Sequence, residues 1–72
     1  MTMSLQELQR GRLATVLGLD APPSLQHRLM EMGFVPGTSI EIVNRGTPSL
    51  IRLHGGRISL SAELARAVRV EI

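Results

Sequence analysis

Cysteine, lysine, tyrosine and tryptophan are all absent from this 72-residue chain, and Phe34 is its only aromatic residue. Without cysteine, neither a disulfide framework nor a thiolate metal site can form, so the fold must rest on its core and is indifferent to redox conditions. No segment approaches the roughly 20 apolar residues needed to span a bilayer, and Met1-Thr2-Met3-Ser4 lacks the basic and apolar regions of a signal peptide. A cytoplasmic protein is expected. The missing lysine, tyrosine and cysteine also explain a pI of about 11.2 at a formal net charge of only +2, because almost nothing titrates between neutrality and very high pH. The eight arginines, at 10, 12, 28, 45, 52, 57, 66 and 69, are interleaved with six acids. With one aromatic to stack on a base, no nucleic-acid partner is expected.

What is present reads as one small domain over residues 1–72. A hydrophobic fraction of 43% against 19% charged residues is that of a folded chain, and proline and glycine are spaced like turns. The most informative segment runs from Arg28 to Thr38. Gly33 is placed to end a helix in the left-handed region, Phe34 can fold back onto Leu29 as in a Schellman cap, and Pro36-Gly37 fits a type II turn across Val35 to Thr38.

Around that corner the pattern predicts short elements. Ser4-Leu5-Gln6-Glu7 fits a capping box for a helical turn through Leu8, with Gly11 ending it. Arg12 to Leu19 reads as a strand with Ala14 and Val16 on one face and Leu13, Leu17 and Leu19 on the other. Ser24 is the expected N-cap of a helix whose apolar stripe is Leu25, Leu29 and Met32. Strands are expected at Thr38–Arg45 (Ile40 and Ile42 inward) and Ser49–His54 (Ile51 and Leu53 inward). Gly55-Gly56 is read as the hairpin turn into Arg57–Leu60, with Ile58 and Leu60 inward. A helical turn over Ser61–Arg66 precedes a last strand carrying Val68, Val70 and Ile72. Five short strands in a chain this small must curl into a barrel, with the helix of residues 24–32 plugging or flanking it. The expected class is mainly β with short helices, a small five-stranded barrel with one inserted α-helix.

Catalytic and metal chemistry find little support. His27 and Glu31 lie at i and i+4 and lack a third ligand, which is also the pattern of a solvated helix face. Ser24 and His27 have no strained nucleophile turn, and no helix follows Gly55-Gly56 to make a phosphate loop. No catalytic residue, metal site or cofactor is expected.

Leu5, Leu8 and Gly11, followed by Arg28-Leu29, Met32-Gly33-Phe34 and Pro36-Gly37, resemble the FeoA family of small ferrous-iron transport accessory proteins. Ile58 with Leu60, Ala65, and Val68 with Val70 extend the likeness over almost the whole chain. Ser49 and Ser61 depart from it, standing where family members often carry an apolar and a basic residue. The resemblance implies an SH3-like barrel in the bacterial cytoplasm that assists FeoB, the membrane iron transporter with a G-protein domain, and so a peripheral association with the inner membrane. It is a binding role and not an enzymatic one. The residues expected to meet a partner are Arg28, Met30, Val35, Val43 and Arg57, whereas Leu13, Leu17 and Leu19 are expected to pack under the helix. Open strand edges would permit a homo-oligomer. Two alternatives remain: a regulatory module similar to the C-terminal domain of DtxR-type iron-dependent repressors, and a GTPase activator supplying an arginine in trans.

Overall fold

Helix α1 (Pro23–Glu31) begins on a proline and is closed by a glycine, Gly33, just beyond its C-cap Met32. In the computed structural model, which describes residues 1–72, Pro23 occupies the first helical position, where its fixed φ and missing N–H cost nothing. The cap is therefore Pro22 and not Ser24, and it makes no side-chain bond. The entry is held instead by Gln26, whose amide donates to the carbonyls of Leu19 (3.3 Å) and Ala21 (2.8 Å) and ties the incoming loop to the helix.

At the other end Gly33, with φ of 109°, donates to the Met30 carbonyl at 3.0 Å while Phe34 donates to that of Leu29 at 3.1 Å. These are the two bonds of a Schellman cap. They aim Phe34 into the core, where both it and Leu29 are fully buried. The turn that follows closes with Thr38 donating to Val35 at 3.0 Å over Gly37 at φ 94°, as a type II turn requires.

Six strands form one antiparallel sheet: β1 (Thr2–Ser4), β2 (Leu13–Leu19), β3 (Ser39–Asn44), β4 (Ser49–Leu53), β5 (Gly56–Leu60) and β6 (Val68–Glu71), in the order β1-β6-β2-β3-β4-β5. The class is the one expected, with one more strand. β1 is the addition, a three-residue edge strand whose Met3 lies opposite Val70. Ala14 pairs with Ile40, Val16 with Val70, Ile42 with Ile51 and Ile51 with Ile58, so the inward rows meet in a single core. Ile58 is only half-buried at the open side of that core. The sheet curls until its two edges approach helix α2 (Ala62–Ala67), which packs against β1, β5 and the 3-10 turn Leu5–Glu7. Leu5, Leu8 and Ala65 close the interior there.

Two local expectations change at this end. Ser4 makes no bond to the backbone three residues on; its hydroxyl donates to the Glu7 carboxylate at 3.3 Å, and only a 3-10 turn forms. That turn stops at Glu7, and Gly11 (φ 81°) serves a separate turn in which Arg12 donates to Gln9 at 3.1 Å. The departures Ser49 and Ser61 both have structural work. Ser49 is buried and donates to the Gly46 carbonyl at 3.0 Å, and Ser61 caps α2 by accepting from the Leu64 N–H at 3.2 Å. A cap of this kind stabilises a helix by about 1 kcal/mol.

The β4–β5 hairpin turns one residue earlier than Gly55-Gly56. His54 (φ 51°) and Gly55 (φ 77°) are the two turn residues, and Gly56 already pairs with Leu53. A two-residue turn of the I′ type needs positive φ at both positions, and histidine is among the residues that tolerate it.

Candidate partner-binding surface

The five residues singled out for partner contact fall in two places. Arg28 and Met30 lie on α1 and Val35 just beyond its cap, so these three belong to the corner around Gly33. Met30 is 45% exposed and Val35 40%, which leaves two apolar side chains in water beside the buried Phe34. Arg28 is exposed in the last turn of the helix, where a cation is favoured by the carbonyl end of the dipole. The other two lie on the sheet. Val43 is half-buried at the irregular step of β3 between Ile42 and Asn44, and Arg57 is exposed on β5.

Charge on the sheet's outer face is ordered by register. Leu13 lies opposite Glu41, Glu41 opposite Arg52 and Arg52 opposite Arg57. Arg52 reaches Glu41 at 3.5 Å, an exposed pair of the kind worth at most about 1 kcal/mol. Arg57 has no carboxylate within reach.

Leu13 and Leu17 do not pack under the helix: Leu13 is 67% exposed and Leu17 43%. Helix α1 instead meets the Leu19–Ala21 loop, held by Gln26, and the corner at its end meets the hairpin tip, where a Cβ on Gly33 would lie 3.0 Å from Leu53 Cδ1 and 3.2 Å from His54 Cδ2. Leu19 alone is partly buried against the core. Leu13 and Leu17 therefore join the exposed apolar surface. Their outward parity was visible in the strand pattern; the position of the helix was not.

A cleft of about 340 Å³ lies where the chain ends meet, lined by Met1, Met3, Leu8 and Ile72 with Glu7, Gln9 and Arg12. A shallower hollow lies along Leu13, Glu41, Arg52 and His54. His27 and Glu31 approach to 3.4 Å on the exposed side of α1, and nowhere do three or more histidine or acidic side chains converge as a metal site would need. Both hollows are open to solvent, and the geometry offers surfaces for contact.

The family model for the FeoA domain matches residues 3–72. The chain belongs to the FeoA family. Its members are non-enzymatic proteins associated with ferrous iron transport. Among solved structures, an iron uptake regulatory protein (FeoA) is similar at a TM-score of 0.92 and 27% identity, over 99% of this chain and 96% of that one. FeoA from Stenotrophomonas maltophilia in complex with zinc, a prokaryotic SH3-domain protein, is similar at 0.85 and 30% identity, over 96% and 89%. IdeR from T. acidophilum shares the fold at 0.90 and 19% identity, over 99% of this chain and 34% of that one. A comparison with curated proteins finds no match. The FeoA relatives establish the SH3-like fold of this FeoA domain, and the likeness to IdeR is one of fold alone. No helix is long and apolar enough to cross a membrane.

Proposed function

We propose that this FeoA domain works in the cytoplasm as one binding unit, docking on an FeoB-type membrane transporter through its cytoplasmic G domain to support ferrous iron uptake. The family match over residues 3–72 carries the reading. The surface agrees with it: apolar side chains held in water at Met30 and Val35, and positive charge at Arg28 and Arg57, are what a protein partner would cover. Membrane association is then peripheral and lasts as long as the contact with the transporter.

Ferrous iron uptake in a strain lacking this gene tests the proposal. Uptake is expected to fall several-fold on deletion and to return with the wild-type chain. A Met30→Asp, Val35→Asp variant, which alters only exposed positions, is expected to fold normally and restore little. Unchanged uptake in the deletion strain contradicts the proposal.

A further inference from the structure

The sheet ends in two free edges of different character. β1 is three residues long, and its pairing with β6 runs only one step further, where Ile72 donates to Met1 at 3.2 Å. β5 is longer, and no strand pairs with its side away from β4, although α2, which follows it in the chain, is in contact with it. In a hairpin closed by a two-residue turn, the flanking residues Leu53 and Gly56 exchange both backbone bonds, and by alternation so do Ile51 and Ile58. The N–H and C=O groups of Arg57 and Ser59 must then point away from β4. No turn, loop or cap bond reaches them, and both residues are exposed.

Two rows of side chains end at this edge unfinished. On the outer face the row Leu13, Glu41, Arg52, Arg57 closes with two like charges side by side and only one carboxylate, already engaged by Arg52. The next position in that row, on any strand laid beside β5, falls directly opposite Arg57, where an acid attracts and a base repels. On the inner face Ile42 and Ile51 are buried but Ile58, the last of their row, is only half-covered. An apolar side chain on the added strand would complete it.

We propose that the β5 edge is the docking site for an extended acidic segment of a partner protein, which adds to the sheet as a seventh strand. Its backbone pairs with the N–H and C=O groups of Arg57 and Ser59. A carboxylate lies opposite Arg57 on the outer face, and the adjacent apolar residue covers Ile58. Strand addition of this kind draws affinity from backbone bonds and selectivity from alternate side chains. A second copy of the chain fits less well: symmetric pairing centred on Arg57 or Ile58 sets Arg57 opposite, or diagonal to, its own copy.

The inference rests on the transporter being the partner, and one titration separates the two claims. Purified chain is titrated with the detergent-solubilised FeoB-type transporter, using the wild type, Arg57→Glu, Ser59→Pro and, as a charge control on α2, Arg66→Glu. Arg57→Glu is expected to weaken binding about tenfold or more, by setting like charges opposite each other. Ser59→Pro removes only the outward N–H of an edge strand, a place where proline is tolerated, and is expected to cost about fivefold. Arg66→Glu is expected to bind like the wild type. Hydrogen exchange in the wild-type complex is expected to slow at Arg57 and Ser59, a readout that does not depend on any variant folding. If the wild type binds while Arg57→Glu and the Ser59 amide are indifferent, the edge assignment is overturned and the transporter reading stands. If the wild type does not bind, both fall. A concentration-dependent dimer that Ser59→Pro disperses would assign the edge to a second copy and overturn the proposal.

Discussion

Phe34→Ala is expected to leave much of the chain unfolded at physiological temperature. Phe34 is the largest side chain of the core and is wholly buried. Removing such a ring costs about 3–5 kcal/mol, from lost transfer free energy and from the cavity left behind. A chain of 72 residues, at about 0.05–0.15 kcal/mol per residue, holds about 4–11 kcal/mol in all. No disulfide is present to supplement the core. A thermal melt followed by far-UV circular dichroism is expected to show the midpoint lowered by about 15 °C or more. A fall below about 5 °C would mean that the core closes over the missing ring and that the corner is anchored elsewhere.

Gly33→Ala comes second in expected effect and isolates a different cause. At φ of 109° any Cβ is strained, and at Gly33 it would also press on Leu53 Cδ1 at 3.0 Å and His54 Cδ2 at 3.2 Å. Strain of about 1–2 kcal/mol and overpacking of about 1–2 kcal/mol together predict a loss near 3 kcal/mol. Gly37 has a similar φ of 94° but open space around its Cβ position. Gly37→Ala is therefore expected to cost only the strain, about 1–2 kcal/mol. Urea denaturation of the two variants reads the difference directly. Equal losses would show that Leu53 and His54 give way and that the approach of hairpin to helix is not tight.

The corner from Leu29 to Gly37 was legible because its determinants are local. A glycine, a following apolar residue and a Pro-Gly pair specify a cap and a turn without help from distant parts of the chain. The inward rows of β2 to β6 were legible for a similar reason, since alternation marks which side chains share a face. What escaped was decided by contacts far apart in sequence. β1 carries one inward residue, Met3, and becomes a strand only because β6, more than sixty residues later, lies beside it. Ser24 looked like a cap, yet Pro23 can start a helix one residue earlier once Gln26 ties the loop down.

The candidate surface was legible in part. Met30 lies about 100° around the helix from Leu29, which placed it at the margin of the buried stripe, and it is exposed. Leu13 and Leu17 could be assigned to the outer face of β2, but whether anything covers that face depends on where α1 packs. Register is equally invisible to periodicity. That Arg57 closes a row with Arg52 and Glu41 follows only from the pairing of three strands, and it is this pairing that leaves a positive charge without a partner at the sheet edge.

The most direct measurement is calorimetric titration of the purified FeoA domain into the detergent-solubilised FeoB-type transporter. Saturable binding is predicted, weakened by the Met30→Asp, Val35→Asp variant and lost progressively as salt screens the arginines. Absence of heat at saturating concentrations, with both proteins folded, would contradict a role at the transporter.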